Sequence, residues 1–225
     1  MRLVFCNSKK WFQLNEEIFS NHEILFLENE TDLHVGAIEE FNPDFIFFPH
    51  WSWKVKKEIF SRFKCIVFHT APLPYGRGGS PIQNLIVRGH ISAPVCALKM
   101  VSGLDEGPIY DKQEISLEGN LSEILLRLNS AVNAIIARLI INLPKPKEQI
   151  GKTVLFKRLG SEDNEIKSHA NIHDVYDIIR MLDDSSYPSA YLSLDKVKME
   201  FSEIVKEAGN LYCKVRISEK KLEQK

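Results

Sequence analysis

The sequence predicts an α/β fold: a Rossmann-like, doubly wound mixed sheet with a small α+β C-terminal appendage. In the first part of the chain, short runs that are apolar throughout alternate with segments of helical spacing. Such runs are typical of strands that helices cover on both faces, as in a parallel sheet. Toward the C-terminus the pattern instead indicates one short strand, one helix and a closing hairpin.

Each element of the predicted sheet follows from its own pattern. The runs RLVFC, EILFL, FIFF and CIVF predict four strands, at residues 2–6, 23–27, 45–48 and 65–68. One helix is predicted from residue 10 to residue 20, and a second is predicted to be capped by Thr31 and to extend to Phe41. This alternation of strands and helices is typical of a doubly wound half-domain.

The pattern changes after the fourth predicted strand. Residues 69–79 (HTAPLPYGRGG) are rich in Gly and Pro, so we expect a loop there. The loop leads into Ser80, Pro81 and Gln83, an order that predicts a capping-box helix start. The next predicted elements are strands at 93–101 and 109–115 and a long helix opened by Asn120 and Glu123.

The segment LPKPK at residues 143–147 ends the helical pattern and marks the predicted domain boundary. We expect a first domain of residues 1–145 and a small α+β subdomain of residues 146–225. The subdomain is predicted to hold a strand near 153–157, a helix from about 173 to 183 and a hairpin near 197–217.

Composition excludes some classes of function. The 225 residues include 29 Lys and Arg against 30 Asp and Glu, so the formal net charge is −1, which argues against a broad basic surface for nucleic acid. No run approaches the ~20 apolar residues of a membrane span, and the N-terminus lacks the features of a signal peptide. The cysteines never form a CxxC pair, so we expect reduced thiols in a cytoplasmic protein. They are Cys6, Cys65, Cys96 and Cys213.

Three irregular segments follow strand ends, at residues 49–53, 69–79 and 102–108. Ligands of open α/β sheets bind beyond the carboxyl ends of the strands, so we expect these segments to meet at one crevice. His69 and Asp105 then form a candidate proton-transfer pair, in which the carboxylate orients the imidazole and stabilises its charged form.

Other chemistries are not indicated. No Ser or Cys lies in a GxSxG-like elbow, and GRGGSP matches neither the Walker nor the dinucleotide pattern. His169 and His173 have the spacing of a metal pair, but no carboxylate signature accompanies them, so we interpret them as a solvated helix start and expect no metal.

Two motifs in the expected order resemble a known family. HTAPLPYGRGGSPIQ, at residues 69–83, resembles the signature loop of the 10-formyltetrahydrofolate-dependent formyltransferases. SGLDEGPI, at residues 102–109, resembles the second signature of that family, and Asp105 follows His69 by 36 residues, a compatible separation. The loop is closest to those of the sugar N-formyltransferases and the related peptide-synthetase formylation domains.

The resemblance implies that a formyl group moves from 10-formyltetrahydrofolate to a primary amine, with His69 and Asp105 as the catalytic pair. It also implies folate-binding and acceptor-binding residues. The folate-binding set is His50, Trp51, Trp53, Met100, Val101, Gly103 and Leu104, and the acceptor-binding set is Arg77, Gly78 and Gly79.

The sequence departs from the family at Val67, where an Asn usually helps to form the oxyanion hole. An aliphatic side chain cannot donate a hydrogen bond. Asn84 and Trp53 are the two candidates for a replacement donor.

For the acceptor we expect the amine of a nucleotide-linked amino-dideoxy sugar. Only about 75 residues follow the LPKPK segment and the net charge is −1, so we expect too small and too neutral a C-terminal part to bind tRNA. The alternatives are methionyl-tRNA, glycinamide ribonucleotide, and a non-catalytic module that binds folate or a sugar nucleotide. We expect no nucleic-acid partner and no membrane, and we allow for a homodimer.

Overall fold

The computed structural model describes residues 1–220, and within them a six-stranded sheet is the central feature. Its order is β2-β1-β3-β4-β6-β7. The strands are β1 (Arg2–Asn7), β2 (Glu23–Leu27), β3 (Phe45–His50), β4 (Cys65–Thr70), β5 (Tyr75–Gly78), β6 (Ser92–Lys99), β7 (Ile109–Ser116), β8 (Val154–Phe156), β9 (Ala190–Ser193), β10 (Val197–Glu207) and β11 (Asn210–Glu219). The α-helices are α1 (Glu16–Phe19), α2 (Val35–Phe41), α3 (Lys57–Phe60), α4 (Pro81–Ile86), α5 (Leu121–Ile141) and α6 (Ile172–Arg180).

The central sheet is mixed. Strands β1, β2, β3 and β4 pair in parallel, whereas β6 runs antiparallel to both β4 and β7. Alternate residues of β1 and β3 belong to two different hydrophobic clusters, one on each face of the sheet. This explains why the strands are apolar throughout, and it confirms the predicted fold class.

Helix α5 covers one face of the sheet. It begins with a capping box in which Asn120 and Glu123 each bond the other's backbone N–H, as the sequence predicts. Within residues 1–220 this is the one helix that is long and apolar enough, by length and composition alone, to cross a membrane. About half of it is buried inside the protein, and nine of its side chains form part of the hydrophobic core.

The two predicted N-terminal helices are shorter than expected. Residues 10–15 are irregular because α5 binds their backbone: Asn15 N–H donates to Asn133 Oδ1, and the Asn133 amide donates to the Gln13 carbonyl. Helix α2 is capped by His34, whose Nδ1 accepts from the Ala37 N–H, and not by Thr31.

The predicted loop at 69–79 is partly regular, because residues 75–78 form β5 and pair in parallel with β8. The predicted capping box at Ser80 is wrong. Ser80 has a positive φ of 47°, and its hydroxyl accepts from the Leu159 N–H instead of capping α4. Leu159 lies 79 residues away in sequence, so closure against the segment that follows β8 overrides the local preference.

The C-terminal part contains the predicted hairpin, β10 and β11, and one further strand, β9, that the sequence did not indicate. Its buried residues Ile179, Ala190 and Ile204 belong to the same hydrophobic cluster as Phe5 and Phe47 of the central sheet. The segments on either side of residue 145 therefore share one core.

The cysteines are free, and three of them are buried. Burial raises the pKa of the Cys65 and Cys96 thiols to about 12, so both stay protonated at neutral pH. Cys213 is only half-buried.

The contacts of Asn133 predict a stability effect. Replacing Asn133 with Ala leaves the Asn15 N–H and the Gln13 carbonyl without partners, so we expect the free energy of unfolding to fall by about 1–3 kcal/mol. Ser130→Ala, at an exposed position of the same helix, is the control, with a change within ~0.5 kcal/mol. Urea unfolding followed by circular dichroism measures both, and equal stabilities would contradict this role of Asn133.

Candidate active site

His69 and Asp105 lie together at one end of the central sheet. His69 is near the end of β4 and is 7% exposed, while Asp105 lies in the loop between β6 and β7. The His69 Nδ1 atom is 3.5 Å from Asp105 Oδ2, and the two side chains are 6% and 10% exposed. The structure therefore brings together the pair that the motifs predict, and the catalytic role of the pair stays a prediction.

The second ring nitrogen of His69 fixes the orientation of the imidazole. Nε2 is 2.7 Å from the carbonyl oxygen of Gly76. Because a carbonyl oxygen can only accept, Nε2 carries a hydrogen, and Nδ1 is the nitrogen that faces the carboxylate.

The two carboxylate oxygens of Asp105 have different surroundings. Oδ2 accepts from the backbone N–H of Gly78 at 2.9 Å and faces His69. Oδ1 has no hydrogen-bond partner within residues 1–220. The backbone of Asp105 has a φ of +53°, a left-handed conformation that is unfavourable for a residue with a Cβ.

Two glycines allow the chain to close around this carboxylate. Gly78 has a φ of +105°, and a Cβ there would lie 2.6 Å from the carbonyl oxygen of Phe156. A Cβ on Gly107 would overlap the carbonyl oxygen of Lys99. These contacts explain why both signature motifs need Gly at these positions.

Arg77 is bound to protein groups on both sides. Its Nε and Nη2 donate to Gln149 Oε1 at 3.0 and 2.8 Å, and its Nη1 is 3.4 Å from Glu106 Oε1. Arg77 thus joins the loop at 69–79 to the loop that carries Asp105. Its binding of an acceptor, together with Gly78 and Gly79, stays a prediction.

His50 ends β3, which is parallel to β4, and so lies at the same end of the central sheet as His69. Its Nδ1 is 3.1 Å from the Ser8 hydroxyl, which is 2.9 Å from the Ser52 hydroxyl. Burial, followed by the positive charges of Lys9 and Arg158, lowers the pKa of His50 from 6.5 to about 4. The ring is therefore neutral at pH 7, so one of its nitrogens can donate a hydrogen bond and the other can accept one.

The remaining residues predicted to bind folate lie in two neighbouring loops. Trp51 packs with Met100 and Val67 against one hydrophobic cluster, and the rings of Trp51 and Trp53 meet edge to face at 4.9 Å. In the loop at 102–108, Leu104 is 69% exposed. Val101 and Gly103 are half-buried. These positions do not test whether the residues bind folate, so their assignment stays a prediction.

The missing donor at Val67 is not replaced by Asn84. The Asn84 amide nitrogen donates to the carbonyl oxygens of Gly79, Ser80 and Lys157 at 2.9–3.1 Å, so it has no hydrogen left for a substrate. Asn84 instead holds the start of α4 against the β8 segment. Trp53 is 37% exposed and remains the other predicted donor.

Sequence reasoning missed two residues that shape the site. Gln149 contacts Arg77, and Arg158 acts with its charge on His50, as does Lys9. The sequence offers Lys9 as a candidate cation for an anion without locating it, whereas Gln149 and Arg158 lie outside both motifs and have no local signal. Gln149 and Arg158 flank β8 and reach the crevice only through the pairing of β5 with β8.

The low pKa of His50 predicts a pH dependence of stability. Between about pH 6.5 and pH 4 the unfolded chain binds a proton at His50 that the folded protein does not, so stability falls as the pH is lowered through this range. From pH 7 to pH 4.5, the wild type should lose roughly 2–3 kcal/mol more than His50→Gln. Urea titrations at both pH values measure this, with exposed His169→Gln as the control. Parallel losses in wild type and His50→Gln would refute it.

Comparisons with known sequences point to one family. The family model described as the C-terminal domain of methionyl-tRNA formyltransferase matches residues 161–218. The methionyl-tRNA formyltransferase of Campylobacter lari is 31% identical over 157 residues, which is 68% of this chain and 50% of that protein. The chain spans between 50% and 64% of the length of the first curated relatives.

Two solved structures share the fold. The methionyl-tRNA formyltransferase of Clostridium thermocellum matches with a TM-score of 0.91 and 35% identity, over 98% of this chain and 100% of that one. HypX of Aquifex aeolicus, in complex with tetrahydrofolic acid, matches with a TM-score of 0.75 and 19% identity, over 92% of this chain and 38% of its own. At that identity the second likeness concerns the fold alone.

These findings overturn two expectations. The curated relatives and the solved structure of 35% identity are named for methionyl-tRNA, so the expected amino-sugar acceptor and the expected lack of a nucleic-acid partner are wrong. The net charge of −1 was a poor guide because it sums the charges of the whole chain, whereas a nucleic acid is bound by the charges of one local surface. The 35% identity extends over the whole of the solved Clostridium thermocellum chain. This chain therefore belongs to the formyltransferase family.

Proposed function

We propose that this chain transfers a formyl group from 10-formyltetrahydrofolate to the amino group of methionine carried by a transfer RNA. The likeness to the Clostridium thermocellum methionyl-tRNA formyltransferase over nearly all of both chains is the observation that carries this proposal. Residues 1–145 would hold the catalytic pair, and residues 146–220 would complete the crevice.

The pair of His69 and Asp105 fits this reaction. Oδ1 of Asp105 is the carboxylate oxygen that the protein leaves open, so it is suited to accept a proton from the attacking amine. Nε2–H of His69 donates to the Gly76 carbonyl, and Nδ1 lies beside Asp105 Oδ2, so a protonated His69 ring would stabilise a nearby oxyanion through its positive charge.

Formyl transfer would then proceed in three steps. The amine nitrogen attacks the formyl carbon, and the electron pair of the C=O bond moves to oxygen, where the positive charge of the His69 ring stabilises it. Asp105 takes one proton from the amine nitrogen. The C=O bond forms again as the bond from the formyl carbon to N10 breaks, and N10 receives the proton.

The folate would lie on the side of the tryptophans. Trp51 and Trp53 offer aromatic faces for a flat pterin ring, and the loop at 102–108 offers backbone groups for its edges. We assign the same role to the other predicted residues, which are His50, Met100, Val101, Gly103 and Leu104. The bound tetrahydrofolic acid of HypX, a protein of the same fold, supports a folate donor.

Local positive charge supports a nucleic-acid acceptor. Lys9 and Arg158 both act on His50, and Lys9 Nζ lies 5.8 Å from the centre of the Tyr187 ring. Neither cation takes part in an ion pair within residues 1–220. Strand β8, which ends two residues before Arg158, is bonded to the loop at 69–79, because the Gly79 N–H donates to the Phe156 carbonyl. Phosphates of an acceptor stem entering beside this loop would meet both charges.

The direct test combines the purified chain, 10-formyltetrahydrofolate labelled on the formyl group, and tRNA charged with methionine. We expect label to enter the acid-precipitable tRNA fraction, with matching release of tetrahydrofolate. Uncharged tRNA and free methionine are the controls. No transfer to methionyl-tRNA by the folded protein would overturn the proposed function.

The catalytic roles predict severe losses for two substitutions. His69→Ala and Asp105→Asn should each lower kcat by about 10²–10⁴-fold, because His69 stabilises the oxyanion and Asp105 accepts the proton of the amine. Their melting temperatures should stay near that of the wild type. His173→Ala, at an exposed histidine of α6, is the matched control. Near-normal kcat in either of the first two variants would remove that residue from the mechanism.

The cationic pair predicts a binding effect. Lys9→Ala and Arg158→Ala should each raise KM for methionyl-tRNA while kcat changes little, because phosphate contacts act on binding. Each should also reduce the slope of log KM against log salt by about 1. Lys112→Ala, on β7, should leave both quantities unchanged. If the salt dependence of the Lys9 and Arg158 variants equals that of the wild type, these cations do not contact phosphate.

A further inference from the structure

Gln149 lies in the segment that connects α5 to β8, outside both signature motifs. Its side-chain oxygen accepts two bonds from Arg77, at 3.0 and 2.8 Å. Its side-chain nitrogen donates to the backbone carbonyls of Asp105 and Gly107, both at 2.8 Å. One amide group therefore joins the loop of the first motif to the loop of the second.

The chemistry of the amide suits these four contacts. Its nitrogen carries two hydrogens for the two carbonyl oxygens, and its oxygen has two lone pairs for the two Arg77 donors, so each group is used. A glutamate cannot donate when ionised, a lysine or arginine cannot accept, and an asparagine is shorter by one methylene. Of the common side chains, only that of Gln provides both functions at this length.

The contact reaches Asp105 through its backbone. Asp105 has a left-handed φ of +53°, an unfavourable conformation that the surroundings must maintain. The bond from Gln149 fixes its carbonyl, and the bond from the Gly78 N–H fixes its carboxylate oxygen Oδ2. Gly78 in turn follows Arg77, the other partner of Gln149.

We propose that Gln149 is a positioning residue for the formyl-transfer reaction, holding the Asp105 carboxylate opposite His69 without touching the substrate. This proposal rests on the proposed function, because it assigns Asp105 a part in the reaction. It also gives the C-terminal segment a role in catalysis.

Two substitutions distinguish the contribution of the Gln149 amide oxygen from that of the amide nitrogen. Gln149→Ala removes every contact, whereas Gln149→Glu keeps an acceptor for Arg77 but loses the donation to the two carbonyls. We expect both to lower kcat by about 10- to 100-fold, since small misplacements of a catalytic group have effects of this size, with KM for the folate donor changed less than threefold. Gln113→Ala is the control, because Gln113 also accepts from an arginine, Arg138, at 3.1 Å but lies on β7.

The pH profile of Gln149→Glu distinguishes positioning from general stability. When the carboxyl group that this substitution introduces is protonated, it regains one donor, so the ratio of the variant's kcat to that of the wild type should rise as the pH is lowered toward 5. The ratio for Gln149→Ala should stay flat. Equal ratios at all pH values, or normal kcat in both variants, would overturn the proposal.

A second readout does not depend on activity. Amide hydrogen exchange at Gly78, whose N–H donates to Asp105 Oδ2, should accelerate in Gln149→Ala and stay unchanged in Gln113→Ala. If the wild type transferred no formyl group, the proposed function would fail, and this exchange would still report whether Gln149 orders Asp105. Unchanged exchange at Gly78 in Gln149→Ala would contradict the positioning role.

Discussion

The Asp105 carboxylate accepts a hydrogen bond from the Gly78 N–H and faces the His69 ring, and much of the site is arranged around this contact. The contact requires a left-handed backbone at Asp105 and a positive φ at Gly78. In the loop that carries Asp105, the absence of a side chain at Gly107 lets the chain close onto the carbonyl oxygen of Lys99. A conformation that is locally unfavourable is thus maintained by its neighbours, as is common at functional sites.

The C-terminal segment provides much of that support. Strand β8 pairs with β5, Ser80 receives the N–H of Leu159, and Gln149 bonds to both loops. Because the buried residues of this segment belong to the main hydrophobic cluster, the crevice and the core are stabilised together. We therefore expect the site to be assembled only in the complete fold.

The sequence was sufficient for the features that depend on local pattern. The parallel strands were evident because burial on both faces requires runs such as FIFF, and α5 was evident from its helical spacing and its Asn120 cap. The meeting of His69 with Asp105 followed from the general rule for strand ends. The start of the first helix and the Ser80 cap were wrong because contacts with distant segments replaced the local preferences.

The acceptor and the supporting residues were beyond the reach of pattern alone. Net charge gives no information on where Lys9 and Arg158 lie, and only the fold brings both beside His50. Gln149 has no local signature, because its role comes from two loops that lie 72 and 44 residues away in sequence.

We propose that His69 and Asp105 act as one catalytic unit, and a double-mutant cycle measures whether they do. The measurement compares kcat/KM for methionyl-tRNA in His69→Ala, Asp105→Asn and the double variant. If the two groups serve the same step, the double variant should be about as slow as the slower single variant, because the second substitution has little left to remove. Losses that multiply in the double variant would show that the residues act independently and would contradict this account.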